Sequence, residues 1–365
     1  MYDVIIVGGG VGGLFLASKL EGLDVLVLER NKKITLRDSG IVSNQFKQLF
    51  KTGSIIKDKI TGMELLSKSQ SINIHTRKPF AYILKREEFT SHLRKLASKK
   101  AAISYEAVTG IDHTDNGVIV KTNSGEYGCK VIVGSDGYNS VARQSARIAA
   151  PKFAMGIMAI TNSSTGNGIK VFFNKHYSPD FFSWIIPQNK EYGIISGTRP
   201  KEYLDFFKKK ENLGNGKLYS YPIPVGFTKS FHDNTILIGD SCGQVKPLTG
   251  GGIMFSLRAA QHASRTITEA FEKNRFGAAV LKKYQTAWKK DFALEIRKQL
   301  IFRNLYRWFS NAQIDSMFKD FKNSLEKLDY FDYDNFSTAW IKMPKIQLLK
   351  TAMSQSKSLL HSKIT

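Results

Sequence analysis

The sequence has few acidic residues for its size and no long apolar run. Its 365 residues include 31 Asp and Glu against 54 Lys and Arg, a formal net charge of +23. Such an excess favours an anionic partner, either nucleic acid, membrane headgroups or a phosphorylated substrate, unless the whole proteome is basic. No apolar run reaches the roughly 18 residues of a membrane span. The N-terminus lacks a basic segment with a cleavage site, so no signal peptide is predicted.

Cysteine is also scarce, and no known nucleic-acid-binding motif accompanies the positive charge. Cys129 and Cys242 allow one disulfide at most, which fits a reducing, cytosolic setting. No Cys/His cluster has the spacing of metal ligands, so no metal site is predicted. A helix-turn-helix, a zinc finger and an RNP signature are all missing, and we therefore predict no nucleic-acid partner.

The first 30 residues have the pattern of a dinucleotide-binding βαβ unit. In DVIIVGGGVGGLFLASKL an apolar run precedes Gly8, Gly10 and Gly13, and a second apolar run, DVLVLER, leads to Glu29. Gly8 permits the tight turn, Gly10 lets the backbone approach a pyrophosphate, and Gly13 lets the helix pack on the strand. The N-terminus of the helix favours phosphate charge. Glu29 is placed to accept a hydrogen bond from a ribose hydroxyl.

Two later segments indicate which dinucleotide is bound. KVIVGSDGYNSVAR is a strand that ends in Asp136-Gly137, and NTILIGDSCGQVKPLTGGGI is a strand that ends at Asp240, before a glycine triplet that opens a helix. These two segments, in this order after the N-terminal glycine motif, resemble the FAD-dependent oxidoreductases of the aromatic-hydroxylase fold. The resemblance implies that the cofactor is FAD.

The same resemblance implies which residues hold FAD. In that family the residue that matches Asp240 binds the ribityl chain, and the backbone that matches Gly252 and Ile253 approaches the flavin ring. Arg86, at the start of REEFTSHLRKLA, looks like the family's flavin-contacting Arg, and Val108 falls where the backbone meets the adenine. The full predicted set is Gly8, Gly10, Gly12, Gly13, Glu29, Arg30, Ser39, Gly40, Arg86, Val108, Asp136, Gly137, Asp240, Gly251, Gly252 and Ile253.

Between these motifs lies the aromatic segment PDFFSWIIP, which resembles the P-x-x-Y-x-W-x-F-P element of the geranylgeranyl reductases. Pro179, Trp184 and Pro187 match that element, Phe182 replaces its Tyr, and Ile186 replaces its Phe. VKPLTGGGI and YPIPVG also resemble segments of that branch. A prenyl chain has no hydrogen-bonding group, so a protein recognises it through apolar area. Phe182, Trp184 and Pro187 are therefore the predicted substrate contacts, although the composition alone also fits an ordinary sheet core.

The sequence departs from this branch in the loop after Glu29. Its reductases often have a Cys there, close to the flavin, whereas this chain has Asp38 or Ser39 at that place, followed by Gly40. Ser39 is the catalytic candidate that remains, but a hydroxyl does not form a stabilised anion at neutral pH. We expect Cys242 to be a small packing residue.

The predicted fold is α/β, with a Rossmann-type FAD-binding domain, an inserted antiparallel β-sheet domain for the substrate and a C-terminal helical region. The helical region includes EIRKQLIFRNLYRWFS and WIKMPKIQLLKTAMSQSKSLL, whose basic and aromatic residues suit either a membrane interface or a helical cap on the flavin domain. The predicted ranges are 1–55, 87–148 and 230–290 for the FAD-binding domain, 56–86 and 149–229 for the substrate domain, and 291–365 for the helical region.

The resemblance implies a reductase that hydrogenates C=C bonds of geranylgeranyl chains, on a precursor of archaeal membrane phospholipids or a similar prenyl lipid. Reduced FAD would give a hydride to one alkene carbon while a proton reaches the other. The electron donor is left open among NAD(P)H, a deazaflavin and ferredoxin. The expected location is cytoplasmic, peripheral on the inner face of the cell membrane, against anionic lipid. Two alternatives stay open: a flavin monooxygenase and a non-catalytic prenyl-lipid-binding protein.

Overall fold

The computed structural model describes residues 1–34, 38–50, 53–163, 166–330 and 332–335. The segment WIKMPKIQLLKTAMSQSKSLL lies outside these residues. The strands are β1 (Tyr2–Val7), β2 (Val25–Leu28), β3 (Ile41–Ser43), β4 (Ile56–Ile60), β5 (Gly62–Leu66), β6 (Ser71–His75), β7 (Ala81–Leu84), β8 (Ala102–Ser104), β9 (Val108–Thr114), β10 (Gly117–Thr122), β11 (Glu126–Gly134), β12 (Phe153–Thr161), β13 (Lys170–Phe172), β14 (Ser183–Ile186), β15 (Glu191–Ser196), β16 (Gly216–Pro224), β17 (Phe231–His232) and β18 (Thr235–Leu237).

The helices alternate with these strands in the first part of the chain and follow one another in the last part. They are α1 (Val11–Ala17), α2 (Phe46–Leu49), α3 (Arg86–Ala97), α4 (Val141–Ser145), α5 (Pro200–Lys210), α6 (Ile253–Glu272), α7 (Ala278–Trp288), α8 (Leu294–Tyr306) and α9 (Asn311–Glu326). The predicted α/β class, with a Rossmann-type unit, an antiparallel sheet and C-terminal helices, is confirmed. Among the described helices, none combines the length and the apolar composition that crossing a membrane requires.

The chain divides into two compact units. Unit 1 consists of Met1–Lys57, Ile83–Ala154 and Tyr221–Leu300, and unit 2 consists of the described parts of Asp58–Tyr82, Met155–Ser220 and Ile301–Thr365. The domain ranges predicted from the sequence stay predictions. The assignment of a separate function to each predicted domain stays a prediction.

Unit 1 is built on a sheet of order β17-β18-β11-β1-β2-β8, to which β10 and β9 are added beside β11. β1 pairs in parallel with both β2 and β11, and β11 pairs in parallel with β18. Val4, Ile5 and Ile6 of β1 are fully buried, as expected when helices cover both faces of a parallel sheet. The segment β1-α1-β2 is thus the βαβ unit that the glycine pattern predicts.

Both cysteines belong to the hydrophobic core of unit 1 and form no disulfide. Burial raises the pKa of the Cys129 thiol to about 12, and it also raises the pKa of the Cys242 thiol. The Cys242 thiol donates to the carbonyl oxygen of Leu237 at 3.3 Å. A buried thiol that stays protonated is unreactive, so both residues act as packing groups.

Unit 2 contains a seven-stranded sheet of order β16-β12-β15-β14-β13-β5-β6. The pairs β12/β15, β14/β15, β13/β14 and β5/β6 are antiparallel, and the pair β13/β5 is parallel. One face packs on α5, where Ile185, Phe172 and Tyr192 of the sheet meet Leu204 and Phe207 of the helix. The aromatic segment PDFFSWIIP enters this sheet as β14.

Candidate functional site

The polar residues singled out in unit 1 follow parallel strands at one edge of the sheet. β1 runs into the glycine turn, β2 into Glu29, β11 into Asp136 and β18 into Asp240. These four strands are neighbours in the order β18-β11-β1-β2, and each neighbouring pair is parallel. Their carboxyl ends therefore lie side by side, which is where ligands bind in open α/β sheets.

The glycine turn is shaped by close approaches of backbone to backbone. Gly8 has a φ of +100°, and a Cβ atom there would lie 2.3 Å from the carbonyl oxygen of Ser135. A Cβ atom on Gly13 would lie 2.3 Å from the carbonyl oxygen of Gly8. At Gly10, by contrast, the nearest atom would be 3.8 Å away. The turn is therefore tight where α1 packs and open at Gly10, a cradle that fits a diphosphate group.

Glu29 is tied to the glycine turn by its carboxylate. Oε2 accepts from the Gly9 N–H at 2.8 Å, and Oε1 accepts from the Asn31 N–H at 2.9 Å. A carboxylate has about four lone-pair positions, so these two bonds leave capacity for the hydroxyls of a ribose. Glu29 both fixes the turn and remains able to bind a ligand.

Asp136 has one oxygen engaged and one without a partner. Oδ2 accepts from the N–H groups of Val141 and Ala142, at 2.7 and 3.3 Å, in the first turn of α4. Oδ1 is buried and has no hydrogen-bond partner in the structure. Burial raises the pKa of the Asp136 carboxyl above its usual range. A buried oxygen without a partner is costly, and a donor supplied by a ligand would satisfy it.

Arg143 joins the loops that follow β11 and β18, a role that the sequence analysis did not assign. Its side chain is buried, and Nη1 donates to the carbonyl oxygens of Tyr138 at 2.6 Å and Ser241 at 2.9 Å. The Ser241 hydroxyl in turn donates to the carbonyl oxygen of Gly134 at 2.9 Å. The Asp136 and Asp240 loops are therefore held together by a charged group within the protein.

The glycine triplet before α6 brings Asp240 and Lys246 to one place. A Cβ atom on Gly252 would lie 3.3 Å from Oδ1 of Asp240, and one on Gly251 would lie 2.9 Å from Cε of Lys246. Lys246 is 2% exposed and was not among the predicted site residues. Ile253 begins the 20-residue helix α6, whose N-terminus adds a positive partial charge at this loop.

A bidentate ion pair joins Arg86 to Asp38, in the loop after Glu29. Nε and Nη2 of Arg86 donate to the two carboxylate oxygens of Asp38, at 2.7 and 2.8 Å. Nη1 of Arg86 is buried and has no partner in the structure. Gly40 has a φ of +69°, and a Cβ atom there would lie 2.6 Å from Cδ of Arg86. The guanidinium is thus fixed on one side and keeps a free N–H edge for a ligand.

Three predicted cofactor residues have less distinctive surroundings. Ser39 lies between Asp38 and Gly40 in the ion-paired loop. Arg30 is exposed after Glu29, and the half-buried Val108 begins β9. Their contacts with FAD stay a prediction.

In unit 2 the aromatic segment is buried and anchored by a hydrogen bond. Phe182, which precedes β14, and Trp184 in β14 are each 8% exposed, and their ring centres lie 6.0 Å apart. The Trp184 Nε1–H donates to Oε1 of Glu191 at 2.7 Å. The indole lies against Gly193, where a Cβ atom would clash with the ring. Pro187 ends the strand and begins a short 3₁₀ turn.

Further rings extend this aromatic segment into a cluster within unit 2. Phe181 lies 4.7 Å from Phe182 and 5.5 Å from Tyr306, measured between ring centres. Phe173 lies 6.0 Å from Phe182 and 6.1 Å from Tyr306. The Tyr306 hydroxyl is buried without a hydrogen-bond partner, and burial raises its pKa. Sequence reasoning missed Tyr306 because it lies more than a hundred residues from the segment it contacts.

Residues 1–204 match the sequence family described as FAD binding domain. The chain belongs to the FAD-binding domain family. Its cofactor is FAD, and it is an FAD-dependent oxidoreductase. The cradle at Gly10, the oxygen of Asp136 and the free edge of Arg86 fit such a group, although the contacts of each residue with FAD stay proposals.

The similarity between this FAD-dependent protein and its relatives extends over nearly its whole length. A digeranylgeranylglycerophospholipid reductase of Methanocaldococcus jannaschii is 26% identical over 362 residues, 90% of this chain and 93% of that protein. An uncharacterized protein of the same organism is 28% identical over 358 residues, 92% of this chain and 90% of that protein. The crystal structure of a geranylgeranyl bacteriochlorophyll reductase-like protein from Thermoplasma acidophilum has a TM-score of 0.81 at 20% identity, covering 93% of this chain and 95% of that one. The predicted resemblance to the geranylgeranyl reductases is confirmed.

We predict that Glu29→Ala weakens FAD binding without unfolding the protein. A charge-assisted hydrogen bond to a ribose contributes about 1.5–3 kcal/mol, which corresponds to roughly a ten- to hundredfold loss of affinity. Titration of the apoprotein with FAD measures this loss, and circular dichroism checks the fold. Asp205→Asn, which removes an exposed ion pair in unit 2, is the control and should bind FAD normally. Unchanged affinity in Glu29→Ala would mean that Glu29 only fixes the turn.

We predict that Asp38→Asn weakens FAD binding and changes the flavin absorption spectrum, because Arg86 loses the carboxylate that orients it. Asp291→Asn is a matched control, since Asp291 makes a similar half-buried ion pair with Arg258 in the same unit. Both variants should lower the melting temperature, but only Asp38→Asn should change FAD affinity and spectrum. Equal effects of the two variants on the flavin would contradict a specific role for the Asp38–Arg86 pair.

Proposed function

We propose that this protein is an FAD-dependent reductase that hydrogenates C=C bonds of geranylgeranyl chains, on a precursor of archaeal membrane phospholipids or a similar prenyl lipid. The observation that carries this proposal is the aromatic segment with Trp184 between the FAD motifs. The reductase of Methanocaldococcus jannaschii supports it, because that similarity extends over 90% of this chain. Acting on a membrane lipid, the protein would be cytoplasmic and peripheral to the inner face of the cell membrane.

In this proposal unit 1 holds the cofactor through the residues at the carboxyl edge of its sheet. The open backbone at Gly10 receives the diphosphate, Glu29 the ribose, and Asp240 the ribityl chain. Arg86 presents its free Nη1 to the flavin. Bound and reduced, FAD supplies the hydride that an alkene accepts.

The aromatic segment of unit 2 supplies the surface for the prenyl chain. Phe182 offers a hydrocarbon ring and Trp184 an indole whose one polar group is bonded to Glu191, and each CH₂ that they bury contributes about 0.8 kcal/mol. The hydrogen bond from Trp184 to Glu191 fixes the indole before any ligand arrives, so little side-chain entropy is lost on binding. Isolated alkenes accept hydride poorly, and a rigid wall that aligns the chain lowers that barrier.

Proton delivery differs from that of reductases with a Cys in the flavin loop. Asp38 is engaged with Arg86, and both thiols of the chain are buried in the core of unit 1 with raised pKa. Ser39 is the candidate left in this loop, and its hydroxyl would pass a proton from solvent rather than act as a stored acid.

We predict that the protein, reduced under anaerobic conditions, adds pairs of hydrogens to a digeranylgeranyl glycerophospholipid. Mass spectrometry of the extracted lipid measures the product. Comparison of dithionite with NAD(P)H, a deazaflavin and ferredoxin then identifies the electron donor. A product that appears only with oxygen and contains an added oxygen atom would favour a monooxygenase. Bound but unchanged lipid would favour a non-catalytic binding protein.

We predict that Trp184→Ala slows lipid reduction while FAD is retained. The lost ring removes an apolar contact of the order of 3 kcal/mol. Ile185→Ala is the control in the same strand, since Ile185 is 4% exposed and packs in the cluster with Phe172 and Tyr192 instead. Both variants should melt at a lower temperature. Normal turnover by folded Trp184→Ala would assign the aromatic segment to the core alone.

A further inference from the structure

The part of α8 that belongs to unit 2 exposes large apolar side chains on one face. Ile301, Leu305 and Trp308 are 60%, 52% and 74% exposed. Their spacings of four and three residues place them on the same side of the helix and of the turn that continues it. Isolated apolar residues are common on protein surfaces, but three on the same side of a helix that include a Trp indicate a contact surface.

The opposite side of this segment is firmly packed, so the exposure does not reflect a loose helix end. Arg303, Tyr306 and Phe309 are 3%, 2% and 7% exposed. The Lys175 ammonium donates to the carbonyl oxygens of Tyr306 at 3.1 Å and Arg307 at 3.2 Å, which satisfies the end of the helix. Unit 2 therefore holds Ile301, Leu305 and Trp308 outward in a fixed arrangement.

The charge beside this face is positive. Of the four Lys and Arg in the surrounding sequence EIRKQLIFRNLYRWFS, Arg303 is buried and the other three are exposed or half-buried, and the one acidic residue, Glu295, is buried. The Arg307 side chain is 58% exposed next to Trp308, although its Nε lies 3.3 Å from the buried Asp180 carboxylate. The chain as a whole carries +23. Apolar and Trp side chains flanked by Arg suit the headgroup region of an anionic bilayer, where each basic residue near the surface adds to the attraction.

We propose that Ile301, Leu305 and Trp308 form a membrane-docking face that inserts among the headgroups of an anionic lipid bilayer, with Arg307 beside lipid phosphates. The proposed function gives a reason for such a face, since a prenyl phospholipid would have to be drawn from a membrane. Docking is nevertheless measured without turnover. The two proposals can therefore fail separately.

The test compares vesicle binding of the full-length FAD-loaded protein with that of a variant carrying Ile301→Ser, Leu305→Ser and Trp308→Ser. Sedimentation with vesicles of mixed phosphatidylglycerol and phosphatidylcholine measures binding. We expect the variant to bind at least about tenfold more weakly, and the wild type to bind less as salt rises. In Trp308→Phe, the blue shift of tryptophan emission that vesicles cause in the wild type should be lost.

A matched control carries Phe206→Ser and Leu218→Ser, which remove two other exposed apolar side chains of unit 2, 50% and 46% exposed. This control should bind vesicles like the wild type. Equal binding by the α8 variant, or an equal loss in the control, would overturn the proposal. The proposal would also be overturned if the wild type did not bind vesicles but formed a dimer that the α8 variant cannot form. Reduction of detergent-dispersed lipid should be the same in the α8 variant and the wild type, and its absence in both would refute the proposed function alone.

Discussion

The arrangement of unit 1 depends on the joining of three parallel strands at their carboxyl ends. The N–H of Gly8 donates to the carbonyl oxygen of Leu28, and the N–H of Ser135 donates to that of Val7, each at 2.8 Å. Only a residue without a Cβ atom can occupy Gly8, because the Ser135 backbone fills that space. The loops that follow β1, β2 and β11 all begin at this junction. The glycine turn, Glu29 and the Asp136 loop are close to one another for this reason.

Charged side chains of unit 1 hold loops of the candidate site in place. Arg86 is the first residue of α3, where a cation is unfavourable against the helix dipole, and the Asp38 carboxylate offsets that cost. The same pairing gives the loop with Gly40 its shape. The Asp38 carboxylate therefore orients the Arg86 guanidinium. Arg143 acts similarly between two other loops.

Local pattern was enough to predict much of the fold and part of the candidate site. The GxGxxG turn, the acid at Glu29 and the entry of PDFFSWIIP into a sheet follow from spacing and periodicity within short windows. The bond of Arg143 to Ser241 and the pairing of Asp38 with Arg86 could not be predicted, since each joins residues far apart in sequence. Burial of Lys246 was also unpredictable, because a Lys in a loop is ordinarily solvated.

The place of Trp184 shows why the core and ligand-binding interpretations of an aromatic segment are compatible. A flexible ligand without polar groups makes no hydrogen bond that could orient the side chains around it. The protein itself must therefore hold those side chains in place. The Trp184 indole is fixed by Glu191, which is 2% exposed, and by close contact with Gly193. Such a ring is part of the core on the side that holds it. On any side that the core leaves uncovered, the ring offers an apolar face. That face is rigid because the rest of the ring is buried.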